Sequence, residues 1–208
     1  MVEVVTGASI GRCGLRKWVT ATLAAAALAG AALADPLDEA TAAYRRGEYA
    51  TTYALLHPLA DAGDKAAQHN LGIYYAAGLG DYAEAGVWFR KAAEQGLADA
   101  QFNLGVMYAS GRGVSRDYRE AAQWYRKAAR QGHPHAQLNL GTMYANGQGM
   151  PRDYVEAHKW FDLAASNLPD SQPAFRELAA NDRDLAARKM TPAQISEAQK
   201  LARSWQPN

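Results

Sequence analysis

The chain repeats itself at a fixed interval, and self-similarity at a period of about 36 residues leaves few folds open. Asn-Leu-Gly occurs at Asn70, Asn103 and Asn139, and Trp88, Trp124 and Trp160 are separated by 36 residues twice. Tyr82, Tyr118 and Tyr154 each precede one of these tryptophans by six residues. One unit runs from Asp99 through Tyr108, turns at Gly111, Arg112 and Gly113, resumes at Asp117 and ends near Gly132. Its punctuation predicts a pair of helices joined by a glycine turn. Gly-x-Gly at Gly78 to Gly80, Gly111 to Gly113 and Gly147 to Gly149 stops the first helices, and Gly63, Gly96 and Gly132 close the second ones, where the backbone needs positive φ. The first full unit is three residues shorter in its turn, so that turn must be tighter.

Asp81 with Glu84, Asp117 with Glu120 and Asp153 with Glu156 have the spacing of a capping box. The aspartate accepts an amide hydrogen bond, the glutamate is expected to answer it, and both suit the positive end of the helix. A carboxylate pair can also serve as general acid and base, but three copies at one place in the repeat favour caps. On the first helix Ala100, Leu104 and Tyr108 share a face, with Gly105 beside them admitting close approach of the partner helix. On the second, Ala121, Trp124, Tyr125 and Ala128 face inward, leaving Arg119, Arg126, Lys127 and Arg130 outside. The tryptophans are expected in the core rather than as platforms for sugar rings.

Ahead of the repeats lies an address. Arg12, Arg16 and Lys17 precede an uncharged run from Trp18 to Ala34 that ends Ala32, Leu33, Ala34. A basic flank, an apolar centre and small residues at the minus-three and minus-one positions predict a secretory signal peptide, residues 1–34, cleaved after Ala34, and a periplasmic or secreted protein. Its 17 alanine-rich residues fall short of the roughly 20 strongly apolar ones that a spanning helix needs, so no stable membrane span is expected after cleavage. The leader takes three of the 22 basic and one of the 21 acidic residues, which leaves 19 against 20. That balance argues against a nucleic-acid binder, whose affinity rests on an excess of Lys and Arg. The 45 alanines, most of them in the repeats and leader, favour helix. Cys13, the single cysteine, leaves with the leader, which excludes a disulfide framework and a thiolate metal cluster.

The ordered set Ala-x-x-x-Leu-Gly-x-x-Tyr, Gly-x-Gly, Asp-Tyr-x-Glu-Ala, Trp-aromatic-x-x-Ala-Ala and closing Gly resembles the Sel-one-like repeat, a relative of the tetratricopeptide repeat, over about Ala66 to Asn167. The resemblance implies an all-α fold, a right-handed α-α superhelix or solenoid of helix pairs. Residues 35–63 read as a degenerate N-terminal helix pair, 64–168 as three repeats and 169–208 as C-terminal capping helices. In the leading pair Pro58 is expected to kink or shorten the second helix. Beyond Pro169 and Pro173, Phe175, Leu178, Leu185 and Ala186 suggest a helix with a polar opposite face, and Thr191 to Gln194 starts another with a capping box and Pro192 at its first position. Its apolar stripe is Ile195, Ala198, Leu201, Ala202 and Trp205.

The resemblance also implies a scaffold that holds a protein or peptide partner in the groove lined by the first helices, without catalysis and without a cofactor. The groove of the tetratricopeptide relatives, carried over, is lined by His69, Phe102 and Leu138 in one row and Ile73, Val106 and Thr142 in the next, with Ala66, Asp99 and His135 at the rim. Phe102 lies about 200 degrees around the helix from Ala100, away from the core within the repeat. Packing of Phe102 and Val106 against the following repeat is the alternative. Histidines at 57, 69, 133, 135 and 158 form no repeated ligand set, so no metal site is expected. His-Glu-x-x-His, Gly-x-Ser-x-Gly and a phosphate-binding Gly-rich loop with Lys do not occur, which leaves a hydrolase as the weaker rival. A cell-wall or carbohydrate binder with exposed Tyr and Trp rings is the other.

Overall fold

Short-range chemistry starts most helices of the described chain, residues 35–207 of the computed structural model; the expected leader, residues 1–34, lies outside them. Helices α1 (Pro36–Arg45), α2 (Tyr49–Asp61), α3 (Lys65–Ile73), α4 (Tyr82–Glu94), α5 (Ala98–Ser110), α6 (Tyr118–Arg130), α7 (Pro134–Asn146), α8 (Tyr154–Asn167), α9 (Pro173–Ala187) and α10 (Pro192–Arg203) follow one another without a strand among the described residues. From α1 to α9 each helix packs on the next in the chain, which is the connectivity of an α-α solenoid.

The aspartate caps form as expected. Asp81 accepts from the Glu84 amide at 3.1 Å, Asp117 from Arg119 and Glu120 at 2.8 and 3.2 Å, and Asp153 from Val155 and Glu156 at 2.9 and 3.1 Å. The glutamate half of the box does not close. Instead the amides of Asp81, Asp117 and Asp153 donate to the carbonyls of Tyr75, Tyr108 and Tyr144 at 2.8, 2.9 and 3.0 Å, tying the end of each first helix to the start of its partner. Glu156 turns to Lys159 and the Trp160 indole N–H, 2.6 and 2.9 Å away. At Thr191 both halves of the capping box are present.

In the turns, Gly111 and Gly147 end α5 and α7 in the left-handed region at φ 76° and 70°. The shorter first unit solves the problem differently. There α3 widens into a π-helical turn, Tyr74–Leu79, that absorbs Gly78, and Gly80 alone takes the left-handed conformation directly before the Asp81 cap. Pro58 does not shorten α2, which has the same 13 residues as α4 and α6. Its missing amide falls in the last turn, where buried Leu56 and Ala60 hold the helix against its neighbours.

Within each repeat, a glycine of the first helix meets an aromatic ring of the second. A Cβ on Gly72, Gly105 or Gly141 would lie 2.6, 2.6 or 2.7 Å from the rings of Phe89, Tyr125 or Phe161. The adjacent Trp88, Trp124 and Trp160 are buried, at 6, 6 and 4% exposure, with Lys91, Lys127 and Lys159 over their faces at 3.7, 3.8 and 4.4 Å. Between repeats runs a ladder of buried glutamines. Gln68, Gln101 and Gln137 donate to the carbonyls of Ala60, Ala93 and Ala129 in the preceding second helix at 3.0, 3.1 and 3.2 Å. Their own side-chain oxygens accept from Gln95, Gln131 and Asn167 at 2.7, 2.7 and 3.0 Å.

The C-terminal helices clasp α8 from two directions, since α10 returns to α8 rather than pairing with α9. Ala179 and Ala186 of α9 face inward with Phe161 and Leu168, whereas Ala202 and Trp205 join the cluster around Trp160. The apolar stripe expected on α9 divides: Ala186 is buried, whereas Phe175, Leu178 and Leu185 are exposed.

Two substitutions measure this packing. Trp124→Ala is expected to lower unfolding free energy by about 3–5 kcal/mol, as large-to-small core changes do, and Gly105→Ala by about 1–3 kcal/mol through overpacking against Tyr125. Urea unfolding of the two variants against the parent chain reads both values.

Candidate partner-binding face

The first helices carry α3, α5, α7 and, in the fourth position, α9 along one face, and between successive first helices lies a pocket floored by the second helix. The same repeat positions line each one. Ile73, Phe89, Asn103, Val106 and Met107 shape the first, of about 200 Å³. Tyr125, Asn139, Thr142, Met143 and Gln148 shape the second, of about 190 Å³. Thr142, Phe161, Asp182, Leu185 and Lys189 shape the third, of about 280 Å³. The rings that wedge against the glycines thus also form the pocket floors. The lining differs along the row: the first pocket combines Ile73, Val106 and Met107 with Asn103 and Arg112, the second has amides and a hydroxyl, and the third a carboxylate and an ammonium. Burial holds the Asp182 carboxyl above its ordinary range. In the second pocket burial pushes the Tyr125 hydroxyl up to about 12, against the opposing effect of its hydrogen bond with Asn139.

Of the nine residues expected at the groove, Ala66 is half-buried in the first turn of α3, and the other eight divide into four groups. Ile73 and Val106 share the first pocket, and Val106 is 36% exposed. Thr142 stands between the second and third, its hydroxyl donating to the Leu138 carbonyl at 3.1 Å. Asp99, Phe102 and His135 come together in an aromatic and polar cluster with His133. Phe102 stacks on the His133 ring at 4.6 Å, Asp99 lies 3.3 Å from His133 Nε2, and His135 meets Phe175 edge-on at 5.1 Å. His69 joins its edge, accepting from Asn103 Nδ2 at 3.0 Å; burial lowers its pKa despite the charge of Asp99, so the ring is neutral near pH 7. Leu138 is not on the open face. It is 6% exposed, closed in with Phe161, Ala179 and Ala186, because α9 covers it. Phe102 is half-buried against Tyr125 and the core of the following repeat, so for this residue packing is the role observed.

Three exposed residues on this face went unassigned by the repeat pattern: Phe175, Leu178 and Leu185. Leu185 and Ala186 take the places in the third pocket that Val106 and Met107 take in the first, so Leu178 corresponds to Asp99 and His135. A signal existed in the spacing of seven between Leu178 and Leu185, which equals that between Asp99 and Val106 and between His135 and Thr142. The buried tryptophans offer no flat ring to a sugar. Among the described residues no group of three or more His, Cys, Asp or Glu is arranged to hold a metal ion, and no helix is long and apolar enough to cross a membrane.

Comparison with known proteins converges on one family. The Sel1 repeat family model matches residues 65–97, 98–133 and 134–167. Among solved structures, c5321, a protective antigen present in uropathogenic Escherichia coli strains and displaying an SLR fold, is 39% identical with a TM-score of 0.67, over 74% of this chain and 32% of that one. This chain therefore spans about a third of that antigen's length. A Sel1 repeat protein from Oxalobacter formigenes is 32% identical with a TM-score of 0.61, over 79% of this chain and 73% of that one. No curated protein matches the chain. With three matched repeats, an all-helical solenoid and a relative covered over most of its length, the chain belongs to the Sel1 repeat family.

Proposed function

We propose that the protein is a non-catalytic scaffold that holds an extended segment of a partner protein along the face of its first helices. The observation that carries this reading is the register of the three pockets: equivalent positions recur from one repeat to the next, so a bound chain meets the same kind of recess at each step. Such a face suits a ligand with side chains at regular intervals better than it suits one small molecule, for which a single enclosed cavity is the usual host. Membership of a family whose repeats commonly mediate protein–protein contacts supports the same reading. The difference in lining along the row supplies direction, favouring an apolar or acidic side chain at the end lined by Ile73, Val106 and Arg112 and a polar or charged one beside Asp182 and Lys189.

The protein acts outside the cytoplasm in this proposal, released from its leader after Ala34. Asp35 caps α1 through the Leu37 amide, so a chain beginning at Asp35 keeps every helix of the array. N-terminal sequencing of the protein recovered from the envelope or medium is expected to begin at Asp35; a chain retaining residues 1–34 in that fraction refutes cleavage.

The groove itself is tested by charge. Val106 and Leu185 are exposed and outside the core, so Val106→Glu and Leu185→Glu leave folding intact while placing a carboxylate in the first and third pockets. Crosslinking in the native envelope followed by mass spectrometry is expected to show capture of the principal partner falling about tenfold in either variant, the scale of one central contact. Val87→Glu, an exposed position on α4 outside the pockets, is the control expected to leave capture unchanged. Equal capture by all four chains removes this face as the binding surface.

A further inference from the structure

We infer that His133 makes the junction between the second and third repeats sensitive to pH: the neutral ring caps α7, and protonation of its Nδ1 removes the cap and opens the first turn of that helix. This inference stands independently of what the groove binds.

The position before each first helix is Asp64, Leu97 and His133 in the three repeats. Asp64 accepts the Ala67 amide at 2.7 Å, Leu97 has no side-chain cap, and His133 Nδ1 accepts the Ala136 amide at 3.1 Å. The opposite nitrogen, Nε2, lies 3.3 Å from Asp99 Oδ1. These two partners assign the tautomer, since an acceptor at Nδ1 requires the hydrogen at Nε2, which then donates to the carboxylate. Both nitrogens are satisfied only in the neutral ring. A proton on Nδ1 would point a donor at the Ala136 donor and set a cation at the positive end of α7.

The ring cannot turn freely to escape this conflict. Its side chain is 12% exposed and it stacks on Phe102 at 4.6 Å. The charged and titratable groups acting on it are Asp99 from α5, His69 from α3 and His135 on α7 itself. Burial lowers its pKa most, Asp99 opposes, and His135 and His69 lower it further; the outcome is a value below that of an ordinary histidine. The folded protein therefore binds this proton more weakly than the unfolded chain does. The cap's contribution is fully present above the unfolded value of about 6.5 and is lost as pH falls through the folded value. Asp64 does the same job in the first repeat with a carboxylate oxygen in place of a ring nitrogen. Opening the first turn of α7 disturbs Phe102 and His135 together, because both rings rest on it.

Nuclear magnetic resonance of the full chain between pH 8 and 5 tests this directly. The His133 ring is expected to titrate below pH about 6.5, with protection of the Ala136 amide falling about fivefold in step, the factor carried by one lost N-cap. Asp99→Asn removes the opposing charge and should move the midpoint to lower pH. His133→Asn retains an uncharged cap and should keep the Ala136 amide protected with no inflection. A His133 midpoint at or above 6.5, an Ala136 amide indifferent to it, a midpoint that Asp99→Asn leaves in place, or an inflection surviving in His133→Asn overturns the inference.

Discussion

The array depends on a hydrogen atom facing a ring. Where Gly72, Gly105 and Gly141 lack a Cβ, the rings of Phe89, Tyr125 and Phe161 come in so close that any other residue would collide with them. This contact sets the separation of the two helices in each repeat, and the neighbouring residues inherit their positions from it. The tryptophan one residue earlier on the second helix points back: Trp124 packs with Ala92 and Ala93 of the previous second helix as well as with Ala100 and Leu104. The wedged ring points forward, Tyr125 lying in one cluster with Ala136, Leu140 and Met143 of the next repeat. Two adjacent aromatic residues, about 100 degrees apart around one helix, thereby join three successive repeats.

Alanine-rich interfaces of this kind are close-packed but undirected, and an alanine face slides along another at little cost. The glutamine ladder supplies what they lack. Each of Gln68, Gln101 and Gln137 is buried and satisfied at both ends of its amide, with one bond reaching back and one coming from the second helix ahead. A repeat displaced along its neighbour strands buried polar atoms, each at a cost of about 1–3 kcal/mol. Register is therefore held by polar groups and affinity by apolar ones. The arginines reinforce this at the surface, Arg90 and Arg126 donating to the hydroxyls of Tyr108 and Tyr144 one repeat on.

Features written within one turn of helix were legible in the sequence, and features that depend on where a distant helix comes to rest were not. The aspartate caps and the buried tryptophans follow from spacing, because the same residue types meet the same neighbours three times. The unanswered glutamates show the limit: the amides of Asp81, Asp117 and Asp153 are taken by tyrosine carbonyls from the other helix, a competitor invisible in the four residues of the box. Leu138 was read by analogy with its counterparts His69 and Phe102, but α9 settles over it, and α9 lies outside the repeated pattern. In the sequence His133 carries no more signal than the other histidines, because Asp64 and Leu97 at the equivalent places form no repeated ligand set with it. That this place is the cap of each first helix, with the His133 ring as an acceptor, is what the backbone adds.

The way the array stops explains why its face is longer than its repeats. On α9 the places of Leu104 and Gly105 fall to Arg183 and Asp184, so no ring can wedge there and no further second helix can dock. Arg183 instead bonds Asp162 of α8 at 3.1 Å and Asp184 at 2.9 Å, covering the end with paired charges. The substitution is confined to the side that would have received a partner helix. On the side facing the pockets apolar residues stand instead, with Leu178 and Leu185 in the places of Asp99 and Val106, and Ala179 remains as buried as Ala100. Growth of the solenoid and extension of its face are thus under separate control, one residue apart on the same helix. With α9 added after the three repeats, the row gains the pocket that Thr142 and Leu185 line, as α1 at the other end adds one lined by Ala40, Tyr44, Leu56 and Ile73.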